Sequence, residues 1–235
     1  MEIQNEVAGQ ENIANNRVML TGTVKGDPAP SADLMGEAHS VIVLGVNRLS
    51  SQQDMIPVTI PDELIKEHNI KDGTELTIKG QYRSYNKLIN GRSKLMLTVV
   101  AKEVMDKAPI DNPNIVELSG YICKAPVYRT TPFNREIADV LLAVNRVFAK
   151  SDYIPTIAWG RNARMVQEMA VGEKLNLSGR IQSREYTKRL ENGTTETRQA
   201  YEVSINQLSK DPLPSQIEPD YTTTSTDEIL GALGI

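Results

Sequence analysis

The chain has 235 residues, enough for one large domain or for two of about 100 residues, each able to bury its own core. A hydrophobic content of 40% and a charged content of 24% are ordinary for a globular protein in water, and no apolar run approaches the ~20 residues of a membrane helix. The net charge of −4 argues against a polyanion partner only until it is mapped: residues 211–235 hold five acids and no base, whereas residues 114–210 hold 14 bases against 10 acids.

Residues 1–13 are polar and read as a mobile N-terminal segment. They offer neither a basic start nor an apolar core, so no secretory signal is expected and the expected address is the cytoplasm. Asn16-Arg17-Val18-Met19-Leu20-Thr21-Gly22 opens one unit, 14–106, and Asn114-Ile115-Val116-Glu117-Leu118-Ser119-Gly120 opens another, 114–210. A glycine inside a strand suggests the bend that a small closed barrel needs at its corners. Apolar strands follow at 39–49 and 137–149, then at 54–60 and 152–159, giving a hairpin in each unit. Here the repeat is plainest, with Leu44-Gly45-Val46-Asn47-Arg48 answering Leu142-Ala143-Val144-Asn145-Arg146. At the same offset Asp54-Met55-Ile56-Pro57 answers Asp152-Tyr153-Ile154-Pro155.

Short helices are expected from Asp62 to His68, followed by Gly73, and from Arg161 to Met169. In the second, Ala163, Val166 and Met169 or Ala170 share a face, and Gly172 is read as the C-terminal cap. Each unit then has a strand with Leu76 to Gly80 or Leu175 to Gly179, a turn with Asn90-Gly91 or Asn192-Gly193, and a last strand at 93–104 or 198–208. Residues 107–113 read as a proline-stiffened linker, and 211–235 as a disordered acidic tail. Three strands, a helix and two strands, twice over, is the order of a five-stranded Greek-key barrel with a helix between strands three and four. The fold class is therefore all-β, two OB-folds in tandem.

Chemistry concentrates in the second unit. Along its fourth strand one parity gives Leu175, Leu177, Gly179 and Ile181, and the other gives Asn176, Ser178, Arg180, Gln182, Arg184, Tyr186 and Lys188. A solvated face usually mixes acids with bases, and this one carries no acid, which favours a polyanion. Tyr153 and Trp159 share a parity on the third strand, where the first unit has Met55 and Pro61, and Phe148 lies across the hairpin beside Arg146 and Lys150. A lone tryptophan is usually core. Against that reading, the opposite parity (Ile154, Thr156, Ala158) makes a plausible core face. Rings interleaved with cations suit single-stranded nucleic acid: bases stack for roughly 1–3 kcal/mol each and cations follow the phosphates.

Through Val116-x-Leu118-x-Gly120, Ala143, Tyr153 to Gly160, and Val171-Gly172-x-x-Leu175-x-Leu177-x-Gly179-Arg180-Ile181, residues 114–208 resemble the bacterial single-stranded-DNA-binding protein family. The related primosomal replication protein N stands close behind. The resemblance implies base stacking at Phe148, Tyr153, Trp159 and Tyr186. Residues 16–104 resemble the family more faintly. They lack rings at the first three places but keep Lys79, Arg83, Tyr85 and Lys87 on one strand face with Tyr82 opposite, so weaker binding is expected there.

Two departures stand out. The hairpin between Phe148 and Tyr153 is much shorter than the family's extended finger. The family's acidic tip is only partly matched by Asp227, Glu228, Ile229, Leu230 and the terminal Ile235, read either as a variant docking peptide for replication or repair proteins or as a plain tail. Family members present four OB units per assembly, which implies a homodimer here.

Other chemistry is not expected. His39 and His68 lie far apart in the repeat, and Cys123, the one cysteine, reads as a small buried hydrophobe. With no phosphate-binding glycine loop and no catalytic constellation, the chain reads as a non-enzyme without cofactor or metal. Its expected function is to coat single-stranded DNA with little sequence preference in replication, repair, recombination or a mobile element. The alternative is an OB-fold interaction module of a primosome or conjugation complex, and a more distant one is RNA binding.

Overall fold

Alternation of inward apolar and outward polar residues sets the strands. In β1 (Asn16–Val24) Val18, Leu20 and Val24 are buried, and in β7 (Asn114–Ile122) Val116, Leu118 and Ile122 repeat the pattern. The computed structural model describes residues 15–34, 37–48, 50, 52–89, 91–106, 113–146, 150–189 and 193–217. Barrel one continues with β2 (Ala29–Leu34), β3 (Glu37–Asn47), β4 (Gln53–Pro61), α1 (Asp62–Glu67), β5 (Glu75–Ile89) and β6 (Arg92–Asp106). Barrel two continues after β7 with β8 (Val127–Thr130), β9 (Glu136–Asn145), β10 (Ser151–Trp159), α2 (Arg161–Gln167), β11 (Lys174–Arg189) and β12 (Thr195–Ser209).

Hydrogen bonding runs β1-β3-β4-β6-β5 and back to β1, and β7-β9-β10-β12-β11 and back to β7. Each circuit is the five-stranded Greek-key closure of an OB-fold, with the helix between its third and fourth strands. An additional short strand, β2 or β8, pairs with the outer edge of β3 or β9. The strand glycines do what the sequence suggests. A Cβ on Gly22 would meet the Gly45 carbonyl oxygen at 2.5 Å, and one on Gly120 that of Ala143 at 2.5 Å, so β1 and β7 can cross the closing strand only at glycine. Ala163, Val166 and Met169 are buried as expected. Helix α2, however, ends at Gln167 with Glu168 as its cap, and Gly172, with φ of 89°, serves the turn into β11 instead.

The barrels share one ladder. β1 pairs with β7 antiparallel, Asn16 opposite Leu118, Val18 opposite Val116 and Leu20 opposite Asn114. Val18 and Val116 are the same position of the repeat, so an approximate two-fold exchange of the barrels passes through that pair. Side chains repeat the symmetry: Asn16 bonds the backbone N–H and carbonyl of Tyr82, and Asn114 those of Ile181.

Residues 211–217 break it. Composition points to disorder from 211 onward, yet this stretch lies against the seam, with Ile217 buried. Arg17 donates to Ser215 Oγ (2.7 Å) and to the Ile217 carbonyl, while Glu117 accepts from Ser215 Oγ (2.7 Å) and from the Gln216 N–H (2.5 Å). The proposed docking residues Asp227, Glu228, Ile229, Leu230 and Ile235, the segment 1–13 and most of the linker lie outside the described residues. Among the described residues no helix is long and apolar enough to cross a membrane.

Candidate nucleic-acid interface

The outer face of barrel two follows from register. β10 and β12 pair in parallel with Ile157 opposite Ser204, and β12 and β11 pair antiparallel with Ser204 opposite Arg180. Residues of matching parity share that face. β10 therefore gives Tyr153, Pro155, Ile157 and Trp159, β12 gives Arg198, Ala200, Glu202 and Ser204, and β11 gives Arg180, Gln182, Arg184 and Tyr186. Tyr153 is 47% exposed, and Trp159 and Tyr186 are 37% exposed, while Ile154, Thr156 and Ala158 are buried on the other parity. Three rings therefore stand on one side of one sheet. Trp159 is fixed there by its indole N–H, which donates to Ser204 Oγ at 3.1 Å. Arg184 lies 5.7 Å from the centre of the Tyr186 ring.

Reading β11 alone missed what β12 places beside it. Glu202 takes Gln182 at 2.7 Å and Arg184 at 3.7 Å, and Arg198, opposite Tyr186, pairs with Glu196 at 2.7 Å. The acid-free face of β11 thus borders acids on the next strand. Lys150 is exposed. Lys188 lies on β11 opposite Glu196, and its side chain is outside the described residues, as is Phe148 altogether.

In barrel one β5 and β6 pair into the long arm that β11 and β12 form in barrel two. Tyr85 lies opposite Met96, Lys87 opposite Lys94 and Ile89 opposite Arg92, with no acid among these six. Tyr85 is 40% exposed and Lys87 is exposed, whereas Tyr82 is core and Lys79 pairs with Glu103 at 3.5 Å. Lys94 and Arg92 join the candidate cations through strand pairing, which β5 by itself does not reveal.

Three further expected phosphate contacts have protein partners. Asp152, fully buried on β10, accepts from Arg146 of its own barrel and from Arg83 of the other at 2.8 Å, as well as from the Ser84 N–H at 2.6 Å. Its counterpart Asp54 on β4 accepts from Arg48 (2.5 Å), from Arg180 of barrel two (3.4 Å) and from the Ser183 N–H (2.7 Å). The serines return the contact: Ser84 Oγ accepts from the Tyr153 N–H at 2.8 Å, and Ser183 Oγ from the Met55 N–H at 2.9 Å. Burial opposes charge on Asp152, but hydrogen bonds from Arg146, the Ser84 N–H and Arg83 outweigh it and hold the carboxyl below its ordinary value. Arg146, which also donates to the Ser84 carbonyl at 2.8 Å, Arg83 and Arg180 therefore join the barrels. The repeated aspartate was visible at its fixed offset, but nothing local marks a partner 68 or 129 residues away.

Elsewhere the described residues hold no group of three or more His, Cys, Asp or Glu fit for a metal. Cys123 is half-buried, its thiol donates to the Leu141 carbonyl at 3.2 Å, and burial raises its pKa.

These barrels define a tandem OB-fold protein whose second unit carries an exposed ring platform. Residues 113–211 match the model of the single-strand binding protein family, which bears out the resemblance read from the motifs of that unit. The single-stranded DNA-binding protein of Clostridium tetani is 36% identical over 80 residues, 31% of this chain and 55% of that protein, so the chain spans about half the length of this relative. The wild-type single-stranded DNA binding protein from Thermus aquaticus has the same fold over 86% of this chain and 96% of its own, with a TM-score of 0.62 and 19% identity. The dimeric structure of the N-terminal domain of PriB from Thermoanaerobacter tencongensis is 40% identical and covers 39% of this chain and 94% of its own, with a TM-score of 0.34.

Proposed function

We propose that this chain binds single-stranded DNA with little sequence preference, by stacking bases on Tyr153, Trp159 and Tyr186 and holding phosphates with Lys150, Arg184, Lys188 and the cations of the β5–β6 arm. The observation that carries the reading is the placement of the three rings, exposed on one outer sheet face of the unit that matches the family. Stacking is worth roughly 1–3 kcal/mol per base and is indifferent to base identity, since every base has a π-face. The role we propose is protection of unpaired strands without turnover. A cytoplasmic setting, assembly as a homodimer and recruitment of replication or repair proteins through Asp227 to Ile235 are proposed with it, on the family resemblance and the tail sequence.

Trp159 is the only tryptophan, so its fluorescence reports on the platform directly. Titration with oligo-dT should quench it saturably, and the midpoint should weaken steeply with salt. An unchanged spectrum at saturating oligo-dT would remove the reading. A second reading, a protein-interaction module, is favoured by the apolar tip of the β5–β6 arm, where Leu88 is 74% exposed. That reading expects little oligo-dT binding at any salt, and an oligo-U arm separates RNA from DNA.

A further inference from the structure

Barrel-to-barrel geometry rests on more than the β1–β7 ladder. Neighbouring strands tolerate interstrand twists from about −10 to −35°, so one ladder by itself leaves the relative tilt of two barrels soft. Asp54 and Asp152 are 1% and 0% exposed, and each accepts from the arginine of its own barrel and, by two more hydrogen bonds, from across the barrel boundary. The two-fold exchange gives two such bonds, related through the seam, and two restraints fix a tilt where one would act as a hinge.

What the restraints hold is specific. Tyr153 follows Asp152 and bonds Ser84 through its own N–H, and Tyr85 follows Ser84. Both rings are exposed, so a ring from each barrel lies one residue from the same hydrogen bond. On the other side Arg184 follows Ser183, which is bonded to Asp54 and Met55.

We infer that Asp54 and Asp152 are positioning residues that hold the two outer faces in register, so that one unpaired strand runs from the ring platform of barrel two onto the cationic arm of barrel one. The inference rests on the proposed single-strand binding and assigns a role to residues that touch no DNA. Its signature is dependence on strand length. OB units cover about 4–16 nucleotides each, so a 12-mer of oligo-dT engages one barrel and one of about 35 nucleotides engages both.

The test titrates the full chain with both lengths, comparing wild type with Asp54→Asn/Asp152→Asn. Wild type should favour the longer strand by about 100-fold or more, the gain of joining two sites. The double variant should keep 12-mer affinity within about twofold and lose at least about tenfold of the length ratio, because linked sites lose their advantage when geometry forbids joint engagement. Comparing ratios cancels the number of overlapping positions on the longer strand. Should the double variant fail to fold, Ser84→Ala/Ser183→Ala, which removes only the cross-barrel hydroxyl acceptors, decides by the same criterion. A folded variant with an unchanged ratio, or one weakened equally at both lengths, overturns the inference alone. A wild type that binds neither length overturns the proposed function and this inference with it.

Discussion

On the arm of barrel two, Arg184 stands opposite Ala200 and Tyr186 opposite Arg198, with Glu202 and Glu196 taking up positive charge. On the arm of barrel one the rows read Tyr85 with Met96, Lys87 with Lys94 and Ile89 with Arg92, without an acid. The β4 strand of barrel one offers Met55 and Pro61 where β10 offers Tyr153 and Trp159. One backbone therefore presents two surfaces. Barrel two favours flat apolar contact with its charge locally balanced, and barrel one favours charge with a single ring. The lesson is that a duplicated fold need not duplicate a site, because strand register fixes where side chains point and leaves their chemistry free.

The harshest way to break the comparison is to strip the rings. Tyr153→Ala, Trp159→Ala and Tyr186→Ala together should weaken oligo-dT binding by at least about 3 kcal/mol, whereas Met55→Ala with Pro61→Ala in barrel one should leave the calorimetric Kd within error. Trp159→Ala alone should cost about 1–3 kcal/mol with the circular-dichroism melt preserved, because the side chain is outside the core. Lys87→Ala with Lys94→Ala sharpens the other half. Affinity should fall mainly at low salt, and the slope of log K against log salt should become shallower by about 0.7 for each phosphate that is no longer neutralised. Acid gives the smallest effect. The carboxyl pKa of Asp152 is depressed in the folded chain, so its stabilisation is complete above the ordinary carboxylate value of 3.8 and is lost as pH falls through the folded value. Thermal melts of wild type should therefore drop toward Asp152→Asn at the acidic end, with the gap between them constant from about pH 5 to 8.

Much of this was legible in the chain. The fixed offset between Val18 and Val116, and between Gly22 and Gly120, announces two copies of one barrel, since closure needs glycine where a strand crosses a neighbouring carbonyl. The parity of Ile154, Thr156 and Ala158 against Tyr153 and Trp159 separates core from platform. What stayed hidden depends on neighbours that periodicity does not name. Glu202 beside Arg184 is a matter of which strands pair, and Asp152 with Ser84 of which barrels touch. The short strand β8 buries no residue fully and so has no core-facing stripe to announce it. Ile217 and Leu213 are isolated apolar residues among proline and polar neighbours, and Ile217 is held against the seam by contacts to the Arg17–Glu117 pair that its surroundings in sequence do not name.

The β1–β7 ladder joins two barrels of a single polypeptide, and heredity follows from that. When identical subunits pair through such a strand, every substitution appears on both sides of the interface at once, and a change that suits one side must be tolerated by the other. Here Pro61 and Trp159 are separate codons, so either barrel can drift, specialise or fall silent while its sibling keeps working. Dilution cannot part them either, since the stoichiometry of one barrel to the other is set at translation.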